Sequence, residues 1–324
     1  MNEIDVVLSS LGFLSAREKL LLSKNLDSLS ALAVLSTSGI EEIIGRGLRV
    51  RGFSMKNAVY ACMPAFKVIE AKGIGSVRFD DESFPPLLRE IADVPYVLYY
   101  RGNIGVLSKP CVSVVGTRNA CPECARAAAA FARDAAMDGY TVVSGLAKGI
   151  DSYAHKGSLS CAGEGFSGAA CAVLPCGIDT VVPSVNRALA SAILKTDGLL
   201  LSECPPGTFV QAFRFVQRNR IIAGLSEAVL VVQSPCSGGA LITADFALDF
   251  NRDLLFHSSC FCEEALKIER KSVLMEESAS RRERVPSAYV RDGALVINDY
   301  ADFLNAVERQ RTDLKMQPEL FDGL

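Results

Sequence analysis

Cys111-Val112-Ser113-Val114-Val115-Gly116-Thr117-Arg118 opens a unit that recurs along the chain: an apolar run, a turn with small or polar residues, then an amphipathic segment. The order repeats at Thr141–Val143 with Ser144-Gly145, Ala170–Leu174 with Cys176-Gly177, Leu199–Leu201 with Ser202-Glu203, and Ala228–Val232 with Ser237-Gly238-Gly239. Strands that are apolar at every position are buried on both faces, the condition of a parallel sheet covered by helices. The segments between them are helical, as in Ala-rich Ala125–Met137, which stops at Asp138-Gly139. The pattern predicts the α/β class, a doubly wound and mostly parallel sheet.

Outward from this core, residues 1–75 read as a domain of short amphipathic helices. Ser15-Ala16-Arg17-Glu18 forms a capping box for one helix, and another follows Ser38-Gly39. Asp80–Pro86 and Asp93-Val94-Pro95 read as linker, ahead of a short strand at Tyr96–Tyr100. The α/β domain is expected over 76–310. Within it, residues 259–285 hold six basic and six acidic residues and read as a solvated helix or loop. A strand at Tyr289–Ile297, a helix at Asn298–Val307 and a short tail at 311–324 close the reading.

The chain has 324 residues, 49% hydrophobic and 22% charged, an ordinary globular composition of a size for two domains. A net charge of −3 excludes a bulk-cationic nucleic-acid coat, so any anion site must come from locally gathered Lys and Arg. No apolar run reaches the roughly 18–20 residues of a membrane span, and Met1–Asp5 lacks the cationic start of a signal peptide, so a cytoplasmic protein without membrane contact is expected. The 11 cysteines are scattered, several within apolar runs, and read as reduced, buried thiols. Cys121-Pro122-Glu123-Cys124 has metal-knuckle spacing, but no second such pair follows and the histidines are His155 and His257 alone, so neither a metal nor a cofactor is expected.

In open parallel sheets, ligands bind beyond the carboxyl ends of the strands. Gly116-Thr117-Arg118 offers a close-approach turn with two donors for phosphate. Ser144-Gly145-Leu146-Ala147-Lys148-Gly149-Ile150-Asp151 joins backbone N–H groups, a helix start and an ammonium group, with Asp151 as the helix cap. It has the spacing of neither a P-loop nor a dinucleotide fingerprint. His155 reads as polar support. Phe213–Arg220 interleaves aromatics with cations, and Phe215, Arg218, Asn219 and Arg220 suit stacking on bases and pairing with phosphates. The competing reading is an arginine that holds carboxylates across the sheet. Ser237 and Gly238 open another helix at the same edge as an anion nest. No nucleophile elbow, HExxH or convincing acid pair appears, so catalysis has little support.

Taken in order, Gly116-Thr117-Arg118, Ser144–Asp151 with Ala154-His155, Cys176–Asp179, Ser202-Glu203 with Pro205-Pro206-Gly207, Arg218–Ser226 and Ser237–Thr243 resemble the blocks of the DNA-processing protein A (DprA/Smf) family. The resemblance implies a Rossmann-like domain with a SAM-like helical domain, single-stranded DNA as ligand, a homodimer, and help in loading the RecA recombinase during natural transformation. The implied DNA pocket is Arg118, Ser144, Gly145, Lys148, Arg218, Asn219 and Arg220. Phe256-His257-Ser258-Ser259 departs from the family pattern, and no winged-helix domain is expected in the tail. The alternative is a nucleotide-processing or nucleotide-sensing Rossmann-like protein; hydrolysis in the first needs an acid three residues after Thr243, where Phe246 stands, while the second stays open.

Overall fold

The computed structural model describes residues 2–162 and 170–307, and the expected tail at 311–324 lies outside the described residues. Within them, nine strands form one sheet: β1 (Gly75–Arg78), β2 (Val97–Gly102), β3 (Cys111–Gly116), β4 (Thr141–Ser144), β5 (Ala170–Val173), β6 (Leu199–Ser202), β7 (Ala228–Gln233), β8 (Asp253–His257) and β9 (Leu295–Ile297). Their spatial order is β1-β2-β6-β5-β4-β3-β7-β8-β9. From β6 to β9 all neighbours run parallel, while β2 pairs antiparallel with β1 and β6. The chain winds from β3 through β4, β5 and β6 in one direction, then returns to add β7, β8 and β9 on the other side. The order therefore reverses between β3 and β7, the switch point of a doubly wound sheet.

Five helices precede the sheet: α1 (Glu3–Ser9), α2 (Ala16–Lys24), α3 (Leu29–Ala33), α4 (Thr37–Ile44) and α5 (Met55–Lys72). Ser15 and Glu18 form both arms of the capping box on α2, and α4 starts a turn earlier than Ser38-Gly39 suggests because the Ser36 side chain accepts from the Gly39 N–H. The connections carry α6 (Pro86–Arg89), α7 (Pro122–Met137), α8 (Ile150–Leu159), α9 (Arg187–Lys195), α10 (Ala212–Leu225) and α11 (Gly239–Asp249), and α12 (Glu263–Met275), α13 (Ala279–Arg282) and α14 (Pro286–Arg291) lie between β8 and β9. Residues 300–307 are helical. None of the described helices is long and apolar enough to cross a membrane.

Both faces of the sheet are covered, which is why β4, β5, β6 and β7 are buried at every position. On one face, Val115, Val143, Val173 and Val231 pack under Leu88 of α6, Ile222 of α10 and Leu241 of α11. On the other, Val112 and Val142 meet Ala128 and Phe131 of α7, and Tyr99, Ala172 and Leu200 meet Leu8, Leu22 and Val59 of the leading helices. The core thus runs on across residue 75, where the helical domain was expected to end. Asp5 of α1 reinforces the contact, accepting from the hydroxyls of Tyr96 and Ser23 and pairing with Arg78.

The C-terminal reading needs correction. Tyr289–Ile297 is not one strand: Pro286 starts α14, Gly293 in the left-handed region ends it, and only then does β9 begin. The charged stretch is largely solvent-facing helix, as expected: α12 buries Ala265 alone and α13 buries nothing, while the Arg281 carbonyl of α13 accepts from the Ser237 hydroxyl at 2.9 Å.

Candidate functional site

Beyond the carboxyl ends of β3 and β7, the turns at the switch point enclose a cavity of about 510 Å³. Gly116, Thr117 and Arg118 line it after β3, Ala147 and Asp151 at the start of α8, Phe215, Arg218 and Asn219 from α10, and Ser234, Gly238 and Thr243 after β7. Arg118 is exposed, with its guanidinium 5.3 Å from the centre of the Phe215 ring. Gly238 is the N-cap of α11, no side chain caps that helix, and its positive end opens on the cavity. Phe209 and Phe213, outside the cavity lining, are 85% and 57% exposed.

Arg218 is the buried cation of the cavity wall. Its Nη1 donates to the Val173 carbonyl at 2.6 Å, and its Nε has no partner among the described residues. Burial pushes its pKa down to about 10, with Arg118 acting in the same direction and Asp151 opposing. Asp151 is itself buried and accepts from the Ala147 N–H at 3.3 Å. Asp151 is the carboxylate that acts on Arg218, and with the Arg218 Nε left without a partner among the described residues an incoming anion would meet a donor that the fold leaves unused.

Gly145 exists for Arg218: a Cβ there would fall 1.9 Å from Nη1. Gly116 and Gly149 are crowded likewise, against Ile150 and against the Thr117-Arg118 backbone. These glycines let protein segments approach one another, and Gly116 also lines the cavity. The loop before α8 is also less open than expected. Asp151 holds the Ala147 N–H, the Thr117 carbonyl accepts from the Ile150 N–H at 3.1 Å, and Gly149, not Asp151, is the N-cap.

Arg220 requires the clearest correction. It is 4% exposed, its Nη2 donates to both carboxylate oxygens of Glu203 at 2.7 and 2.9 Å, and its Nε donates to Asp93 at 2.9 Å. It lies outside the cavity lining and carries out the competing reading, an arginine that holds carboxylates across the fold. Ser144 is buried with its hydroxyl on the Val114 carbonyl, Lys148 is exposed in the loop beside Ala147, and Ser237 is engaged by Arg281 and Arg284. None of these three lines the cavity. Of the expected site residues, Gly116, Thr117, Arg118, Phe215, Arg218, Asn219 and Gly238 are brought together.

A family model described as DNA recombination-mediator protein A matches residues 76–308. The chain belongs to the DNA recombination-mediator protein A family. It is 43% identical over 179 residues to protein Smf of Synechocystis sp., a match covering 54% of this chain and 44% of that one. The chain thus spans under half the length of that relative. The solved DNA processing protein A of Streptococcus pneumoniae superposes with a TM-score of 0.71 at 27% identity, over 94% of this chain and 98% of that one. The Helicobacter pylori DNA processing protein A, solved for its single-stranded DNA binding mode, shares the fold with a TM-score of 0.57 at 22% identity, over 73% and 96% of the two chains.

Three features of this family member escape a reading of local sequence. Asp151 serves as a counter-charge rather than a cap. Asn186 donates to the carbonyls of Leu146 and Ala147 at 2.8 and 3.2 Å and shapes their loop from 39–40 residues away. His155 is buried with neither ring nitrogen partnered among the described residues, and burial, aided by Arg218, lowers its pKa to about 3. The folded protein therefore keeps it neutral, while the unfolded chain takes up a proton near the ordinary value of 6.5. Stability is lost as pH falls through that value, by about 2 kcal/mol between roughly pH 6.5 and 4.5. His155→Leu is expected to remove this increment from the pH profile of urea denaturation, and an unchanged profile contradicts the assignment.

Proposed function

We propose that this chain binds single-stranded DNA at the switch-point cavity and acts there as a binding protein in recombination. The observation that carries the reading is the pairing of a buried Arg218, whose Nε has no partner among the described residues, with an exposed Arg118 stacked on Phe215. The first attracts a phosphate into the cavity and the second holds a cation and an aromatic plane together at its rim. Stacking contributes about 1–3 kcal/mol per base and tolerates sequence, so discrimination among bases is weak. A cavity of about 510 Å³ takes a splayed nucleotide but not a duplex. Family membership and the single-stranded DNA bound by the Helicobacter relative support the same ligand.

Homodimerisation and delivery of RecA to the bound strand follow from the family alone and belong to the same proposal. The hydrolytic alternative gains nothing, because Phe246 stacks on Phe250 and places a ring where it needs a carboxylate. Anisotropy titrations with oligo-dT, matched duplex and a mononucleotide test the reading. Oligo-dT is expected to bind at least about tenfold more tightly than the duplex, a difference of 1.4 kcal/mol. Equal affinities would overturn it.

A further inference from the structure

Three thiols converge away from the cavity, at the N-termini of two helices. Cys121 is the N-cap of α7, Cys124 lies in its first turn, and Cys262 is the N-cap of α12. Their Sγ atoms all lie within 4.8 Å of one another, although 141 residues separate Cys121 from Cys262. The Cys121 and Cys262 sulfurs are 3.8 Å apart. In a tetrahedral zinc site with Zn–S bonds of about 2.3 Å, two sulfurs are separated by about 3.8 Å, whereas a disulfide needs about 2.05 Å. Cys121 and Cys124 are buried and Cys262 is half-buried, so the cluster is walled on one side and reachable on the other.

We propose that Cys121, Cys124 and Cys262 bind one thiophilic ion of the zinc class, with the fourth position open to solvent beside Cys262. Each thiol releases its proton to solvent as the sulfur–metal bond forms, and no electron is transferred. The positive ends of α7 and α12 and the Ala265 N–H, 3.5 Å from the Cys262 sulfur, support the anionic thiolates. The ion would tie the segment after Arg118 to α12. Gln233 links this site to the cavity rim: its side chain accepts from the Cys121 N–H at 2.9 Å and its carbonyl from the Thr117 N–H at 2.8 Å.

Metal retention by the reduced full-length chain tests this independently of any DNA. After incubation with zinc and desalting, the chain is expected to hold about one ion. Cobalt in its place should give thiolate charge-transfer absorption and the visible bands of a tetrahedral site. Serine is a strong N-cap, so Cys262→Ser keeps the side-chain cap on α12 and Cys121→Ser puts a favourable residue at the start of α7, which Cys121 does not cap with its side chain. The Cys121→Ser/Cys124→Ser/Cys262→Ser variant keeps the other eight of the 11 cysteines and is expected to lose the ion and the cobalt spectrum. If it fails to fold in thermal melts, Cys262→Ser alone, at the half-buried position, decides by a fall in zinc affinity of about 100-fold or more. Wild-type chain that retains no more ion than the triple variant, or that forms a Cys121–Cys262 disulfide in the presence of zinc, overturns the proposal.

Discussion

Arg218→Met is expected to destabilise the fold by about 3 kcal/mol and to weaken single-stranded DNA binding by at least about tenfold. Methionine fills much of the same volume, so the loss is mainly electrostatic. Without the guanidinium, Asp151 remains buried without the α10 cation that acts on it, and the Val173 carbonyl loses that donor. Adding Asp151→Asn removes the stranded charge and should recover most of the stability measured by urea denaturation. It cannot return the cation, so DNA affinity should stay low. Recovery of both by the double variant would show that Arg218 serves the fold alone.

Gly149→Ala is expected to cost about 3 kcal/mol or more, and to weaken DNA binding in whatever fraction still folds. Gly149 has φ 73° and ψ −131°, a region that side chains other than glycine hardly enter. A Cβ would also fall 2.2 Å from the Thr117 carbonyl oxygen and 2.6 Å from the Arg118 carbonyl carbon. Relief requires the Thr117-Arg118 turn to move, and that turn carries the exposed cation. A variant with wild-type stability and affinity would contradict the close packing of the two loops.

The sheet was legible because continuous apolar strands and their glycine turns are local signals. β3 to β7 begin where expected, β2 begins one residue after Tyr96, β8 was not expected, and the turns after β3 and β7 meet at the predicted edge. Arg218 and Arg220 show where reading by composition fails. Both sit in one basic-aromatic run, yet two residues on a helix point about 200° apart. One faces the cavity and the other faces Glu203 and Asp93. Helical spacing held that distinction, but charge counting discards it. Asn186 and Cys262 had no local signal, because each reaches its partners only through tertiary packing.

The central claim, that DNA phosphates are neutralised at the switch-point cavity rather than by basic residues elsewhere, is tested most directly by the salt dependence of oligo-dT affinity. Each neutralised phosphate on a single strand contributes about −0.7 to the slope of log K against log salt. Arg118→Ala should flatten the slope by about that amount. Arg220→Gln should leave it unchanged in the folded fraction, because Arg220 is held by two carboxylates. A triple alanine variant of Lys267, Arg270 and Lys271 on α12 should also leave it unchanged. If Arg118→Ala keeps the wild-type slope while the α12 variant flattens it, the DNA lies on the charged helix and the cavity is not the site.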